Sequence, residues 1–296
     1  MKVFSFIGLG NMGLEMVNHL INQKGVLVNI FDINKKTYNN FNQSNVIKLE
    51  RIENLPKNTD YYFTMVPDGK ILNKIVLGRN GIATKAKKGS IVIDCSSVDY
   101  TTTINISKNL KKKSIGFLDA PVSGGVAGAK NANLTIMVGG EKKEFIKLKK
   151  ILELLGKNII YVGKSGSGQI IKTCNNLMLG INMIGICEAY LLAENFGIDK
   201  KIFFDICSNA SGSSWAMLNH LPIKGITLNS AANNNFKGGY AAKLIKKDLK
   251  IAQDLAKKSN TNSILGNKAK QLYIKLCDTA NENLDYSSII NYLKKI

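Results

Sequence analysis

The sequence predicts an α/β fold in two parts: a mostly parallel, doubly wound sheet in the first half and an all-helical second half. Three observations carry this. The first half alternates short β-branched and aromatic runs with helical segments. The chain opens on strand, glycine turn, helix, strand and acid. After Gly163-Lys164-Ser165-Gly166-Ser167-Gly168 the pattern turns helical throughout.

Strand segments are read at residues 2–7, 26–31, 61–66, 90–94, 116–118, 135–138 and 159–162. Helical segments separate most of them, which calls for helices on both faces of the sheet. The last strands are joined by a glycine-rich stretch, so the sheet is expected to end in mixed pairing. Residues 169–196 read as one long helix, apolar on most sides through Ile170, Leu177, Met183, Ile186 and Leu191. A helix that apolar is buried, as the central helix of a domain or against another subunit. Gly197 reads as its stop, and Asp199 as the N-cap of a helix through residue 208. Further helices are expected at 243–258, 264–280 and 287–294, with 229–239 a polar loop. The expected domains are 1–164 and 165–296, joined by the long helix.

The opening segment carries the first chemistry. Gly8-Leu9-Gly10-Asn11-Met12-Gly13 stands between a strand and a helix, the context that gives G-x-G-x-x-G its meaning. Gly8 permits a sharp turn, Gly10 lets backbone approach a pyrophosphate, and Gly13 lets the helix pack close to the strand. The helix start then offers N–H groups to the phosphates. Asp32, 19 residues after Gly13, ends the second strand, where a carboxylate accepts from ribose hydroxyls. The first domain is thus expected to be Rossmann-type. A carboxylate there also repels a 2′-phosphate, which favours NAD over NADP. Lys35 and Lys36 follow and read as a solvated loop.

Composition bounds the rest. With 296 residues and 45% hydrophobic content, the chain is long enough for two cores. No apolar run approaches the roughly 18 residues that span a bilayer. The first strand begins at Lys2 with no signal peptide before it, so a cytoplasmic protein is expected, or a mitochondrial matrix one with a trimmed leader. Five scattered cysteines without a C-x-x-C fit free thiols in a reducing compartment, and two histidines offer no metal-ligand spacing. No metal is expected. The net charge of +20 raises the question of nucleic acid, but only Arg51 and Arg79 among 41 basic residues are arginine. Base and phosphate readers lean on arginine forks, so this spread lysine excess reads as compositional bias, with neither nucleic acid nor membrane as a partner. The charge still draws small anions in a salt-dependent way.

Three further constellations stand out. Asp94-Cys95-Ser96-Ser97 ends a sheet strand, where its hydroxyls either meet a cofactor or cap a helix. Asp119-Ala120-Pro121-Val122-Ser123-Gly124-Gly125 is either a turn or a cradle of hydroxyl and N–H groups for a carboxylate. Lys172 and Asn176, four apart, share one face of the long helix. A lysine desolvated there would have a lowered pKa suited to acid/base work; the other reading is a lysine snorkelling to solvent.

Together these pieces resemble the β-hydroxyacid dehydrogenase family over nearly the whole chain. The anchors are Gly8–Gly13, Asp119–Gly125 with residues 133–140, residues 166–176 (G-S-G-Q-I-I-K-T-C-N-N) and Lys247-Asp248-Leu249. Trp215, residues 233–239 and Asp285-Tyr286-Ser287-Ser288 resemble its 3-hydroxyisobutyrate branch. The resemblance implies Lys172 as acid/base and Asn176 as its companion holding the substrate. It implies Ser123 and Gly124 at the substrate carboxylate, and Val66, Pro67 and Ser97 at the nicotinamide. Lys247 would reach the cofactor, with Asp248 orienting Lys247 or Lys172. The implied reaction is NAD-dependent oxidation of 3-hydroxyisobutyrate to methylmalonate semialdehyde, a step of valine breakdown. The strongly apolar long helix suggests burial against another subunit, so a homodimer or homotetramer is expected. Ser213 stands where some members carry arginine. The competing readings are NADPH-dependent reduction of tartronate or succinate semialdehyde, and a non-catalytic basic binding module on the same fold.

Overall fold

The computed structural model describes all of residues 1–296 except Ala280. The chain divides into two compact units, Met1–Lys172 and Thr173–Ile296.

In the first unit, β1 (Lys2–Ile7), α1 (Asn11–Ile21) and β2 (Val26–Phe31) are followed by β3 (Val46–Lys48), β4 (Tyr61–Thr64), α2 (Gly69–Leu77), α3 (Ile82–Lys85) and β5 (Ile91–Asp94). Then come α4 (Tyr100–Lys111), β6 (Gly116–Asp119), β7 (Val122–Ser123), α5 (Gly125–Lys130), β8 (Leu134–Gly140), α6 (Lys142–Leu152) and β9 (Gly156–Gly163). The strand order is β3-β2-β1-β4-β5-β6-β8-β7, with β9 beside β8. β3 through β6 pair in parallel, whereas β8 runs antiparallel to β6 and β7. The mixed end was expected from the glycine-rich stretch. The central strands are buried on both faces, as parallel strands under helices are. One core packs Phe6, Met16, Leu20 and Phe63; another packs Tyr62, Leu72, Val92 and Ile106. The order reverses between β1 and β4, the point at which such sheets bind ligands beyond their carboxyl ends.

The long helix is α7 (Ser167–Asn195). The second unit continues with α8 (Lys200–Cys207), α9 (Trp215–His220), α10 (Ala242–Lys258), α11 (Ile264–Leu276) and α12 (Ile289–Leu293). Asp199 caps α8 as expected, accepting from the Lys201 and Ile202 amides. The helix expected over 264–280 leaves α-geometry after Leu276, and its last residue, Ala280, lies outside the described residues. Met183, Cys187, Leu249, Tyr273 and Ile289 form the core of this unit.

One expectation needs correction. By length and composition α7 is a helix that could cross a membrane, although no uninterrupted apolar run suggests it. Its Met183, Cys187 and Tyr190 sit in a protein core, as in a core helix. On another side α7 leaves Met178 and Leu192 exposed in the single chain.

Candidate active site

The glycine turn is built as its motif requires. Gly8 has φ +99°, and a Cβ there would run into the Met65 carbonyl; one at Gly13 would run into the Gly8 carbonyl. Nothing lies within 4 Å of where a Gly10 Cβ would be. Gly10 begins α1 with no side-chain cap, so the amides of Asn11, Met12 and Gly13 open the helix without one. The Asp32 carboxylate accepts from Leu9 N at 2.6 Å and Asn34 N at 2.7 Å. Each oxygen keeps acceptor capacity, so the carboxylate is fixed yet able to receive ribose hydroxyls. These residues fit the adenosine and pyrophosphate half of a dinucleotide.

Lys35 is not a solvated loop residue. Its Nζ donates to Tyr38 Oη at 3.0 Å, Leu49 O at 2.9 Å and Glu50 O at 2.8 Å, and lies over the Phe31 and Tyr38 rings. All three ammonium protons are committed, which leaves the Asp32 charge uncompensated from that side. Lys36 is exposed.

Val66 and Pro67 follow β4, and Ser97 follows β5. Asp94 Oδ1 accepts from Thr64 Oγ1 at 2.8 Å and from Ser96 N at 3.2 Å, and Val66 N donates to Ser96 Oγ at 2.9 Å. Asp94 and Ser96 therefore tie two strand-end loops together, while Ser97 is half-exposed. The helix that follows is capped by Asp99, which accepts from Thr102 N, not by the serines.

Ser123 pairs with Thr135 at the end of β7. Gly124 and Gly125 follow with φ +134° and +64°, conformations that need glycine, and both are exposed. The segment thus presents the half-exposed Ser123 beside exposed backbone at the start of α5. Asp119, before it, is fully buried and accepts from Gly166 N at 2.7 Å and Gln169 N at 3.1 Å. Burial outweighs these donors and pushes its carboxyl up to about 7. Lys172, half-buried, stands on the same first turns of α7.

A second polar cluster lies in the helical unit. Asn176 and Asp248 are 3% and 5% exposed. Asn176 Nδ2 donates to Asp248 Oδ2 at 2.6 Å, and the Tyr240 hydroxyl donates to the same oxygen. Lys247 Nζ pairs with Asp248 Oδ1 at 3.2 Å. Asp248 is acceptor-only when ionised, so it fixes the Asn176 amide with Nδ2 inward and Oδ1 toward Asn175 Nδ2, 3.0 Å away. Burial and the Asp248 charge raise the Tyr240 phenol far above its ordinary value, which keeps it a donor. The sequence reading tied Asp248 to Lys247 or Lys172; here Asn176 and Tyr240 share it with Lys247. Tyr240 and Gln169 were missed. A tyrosine after two glycines, eight residues before Asp248, and a glutamine at the start of an apolar helix were the only signals.

The chain matches two family models: the NAD binding domain of 6-phosphogluconate dehydrogenase over residues 3–163, and the NAD-binding domain of NADP-dependent 3-hydroxyisobutyrate dehydrogenase over 166–293. It is 36% identical to the mitochondrial 3-hydroxyisobutyrate dehydrogenase of Mus musculus over 290 residues, 98% of this chain and 86% of that one. It is 32% identical to the NAD-dependent L-serine dehydrogenase of Pseudomonas aeruginosa over 289 residues, 98% of this chain and 97% of that one. A solved Mycobacterium tuberculosis 3-hydroxyisobutyrate dehydrogenase with L-serine superposes with a TM-score of 0.90 at 32% identity, covering 99% of both chains. The glycine turn, the acid after β2, and these full-length matches place the chain in the β-hydroxyacid dehydrogenase family, as an NAD-binding oxidoreductase.

Proposed function

We propose that this protein oxidises the primary alcohol of a small 3-hydroxy acid, 3-hydroxyisobutyrate, to the semialdehyde, with NAD preferred over NADP and Lys172 as acid/base. The observation that carries the reading is Lys172 one turn before Asn176 on α7, with the Asn176 amide locked by Asp248. The bound nicotinamide supplies the hydride acceptor. Neutral Lys172 Nζ takes the hydroxyl proton as the C–H bond breaks, and gives it back in the reverse direction. Asn176 helps hold the substrate in line beside Lys172. The Ser123 hydroxyl and the Gly124 N–H bind the carboxylate. Val66, Pro67 and Ser97 would line the nicotinamide, and Lys247 would reach the cofactor, with Asp248 holding Lys247 and Asn176. A homodimer or homotetramer fits the exposed apolar side chains of the helical unit, among them Met178, Leu192, Phe196, Ile202 and Ile206.

L-Serine is the second reading, favoured by the L-serine dehydrogenase relative and the neighbour with L-serine. Both acids carry a primary alcohol one carbon from the centre that bears the carboxylate. They differ in a methyl or an ammonium group on that centre. A panel of kcat/KM values for the two acids with NAD and NADP tests the reading. Higher kcat/KM for 3-hydroxyisobutyrate with NAD supports it; higher kcat/KM for L-serine replaces the substrate, and activity with neither overturns the assignment.

A further inference from the structure

Gln169 is 1% exposed, yet it is the third residue of a largely apolar helix, inside the 166–176 motif but with no role in cofactor or substrate binding assigned to it. Its amide makes two bonds to one short stretch of backbone. Nε2 donates to Ser96 O at 2.7 Å, and Oε1 accepts from Val98 N at 3.2 Å. The two bonds bracket Ser97. The Gln169 backbone N–H donates in turn to Asp119 Oδ2 at 3.1 Å, and Gly166 N to Asp119 Oδ1 at 2.7 Å. The start of α7 is thus held at two points, the loop after β5 and the end of β6. Packing there leaves no slack: a Cβ on Gly168 would stand 2.7 Å from Asp119 O, and one on Gly139 would stand 2.9 Å from Gly168 N. The loop after β5 is itself tied to Val66 through Ser96 Oγ.

Lys172 lies three residues beyond Gln169, about 4.5 Å further along the helix axis. We propose that Gln169 is a positioning residue, clamping the Ser96–Val98 backbone to α7 so that the nicotinamide wall and the Lys172 side-chain nitrogen keep a fixed separation. The inference rests on the proposed role of Lys172. Only glutamine satisfies the clamp: asparagine is one methylene short, methionine offers neither bond, and glutamate lacks the donor for Ser96 O. The proton leaves the hydroxyl oxygen and the hydride leaves the carbon that bears it, so base and nicotinamide must both be aligned on one alcohol, and a shift of order 1 Å costs about 100-fold in rate.

The test compares wild type, Gln169→Met and Lys172→Ala. It uses steady-state kinetics with NAD and 3-hydroxyisobutyrate, or L-serine if that is the better substrate. The same acid deuterated at the carbinol carbon gives the isotope effect. Gln169→Met is expected to lower kcat by about 10–100-fold and raise the isotope effect on kcat, with NAD affinity within twofold of wild type. Amide hydrogen exchange, which needs no substrate, should quicken at least tenfold at Val98 and over residues 170–173. Gln169→Glu, which keeps the acceptor for Val98 N and loses only the donor to Ser96 O, should still quicken exchange over residues 170–173, and it decides the matter if the methionine variant fails to fold. The proposal is overturned if kcat stays within threefold of wild type, if only NAD affinity falls, or if exchange at both segments is unchanged. Lys172→Ala separates the two claims. Full activity in that variant defeats the acid/base reading, whereas its inactivity beside an active Gln169→Met defeats only the clamp.

Discussion

Asp248→Asn probes how the helical unit arms Asn176. The carboxylate receives Asn176 Nδ2 at 2.6 Å, the Tyr240 hydroxyl, and the Lys247 ammonium at 3.2 Å, and is 5% exposed. The asparagine keeps the shape but removes the charge, and its NH2 must face one of three donors. A hydrogen bond to a charged group is worth about 1.5–3 kcal/mol. If that interaction orients Asn176 chiefly in the transition state, its loss lowers kcat by about 10–150-fold. Tyr240→Phe leaves the Asn176–Asp248 bond in place and should cost less, about threefold to tenfold, in line with one neutral donor. The assay is kcat and KM at saturating NAD, with Tm measured alongside. Wild-type kcat in a folded Asp248→Asn variant would refute the claim that this carboxylate sets the Asn176 amide. So would a Tyr240→Phe defect larger than that of Asp248→Asn.

Three other outcomes follow from the structure. Asp32 is fixed by two backbone amides and Lys35 is committed elsewhere, so NAD should be preferred over NADP by at least about tenfold, about 1.4 kcal/mol, and Asp32→Ala should narrow the gap; equal kcat/KM with both cofactors in the wild type contradicts this. Ser123→Ala should raise KM for the acid several-fold with NAD affinity unchanged, because one bond to a carboxylate is removed; a fall in NAD affinity alone would move Ser123 to the cofactor. Asp119, held up to about 7 by burial, takes up a proton on folding between its unfolded pKa and about pH 7, so stability is lost as pH rises through that window. Chemical denaturation should show the wild type losing about 4 kcal/mol relative to Asp119→Asn between pH 4 and pH 8, and parallel curves would show that the buried acid does not titrate there.

What the sequence made legible was local. The glycine turn and Asp32 are adjacent in a pattern whose backbone demands only glycine meets, and the strands of the sheet centre announce themselves as apolar runs. β3 has three residues, Val46-Ile47-Lys48, one half-buried and two exposed at the sheet edge, and β7 has two; neither leaves a periodic signal. α9 is six residues long and shows only its Ser214 cap. The contacts that the sequence hid run to distant partners. Lys35 looks solvated until Leu49 and Glu50, 14 and 15 residues on, fold over it. Asn176 meets Asp248 across 72 residues, and Gln169 meets Ser96 across 73. Residue type and spacing singled out Lys172 and Asn176; the Asp248 carboxylate that holds the Asn176 amide became visible only in three dimensions.

The most direct test of the central claim is the kcat of Lys172→Ala with 3-hydroxyisobutyrate and NAD, beside its Tm and NAD affinity. The account predicts a fall of about 10²–10⁴-fold with folding and NAD binding intact, and no rescue by Lys172→Arg, whose guanidinium keeps its proton. A Lys172→Ala protein within threefold of wild-type kcat would contradict it and leave this lysine a packing residue of α7.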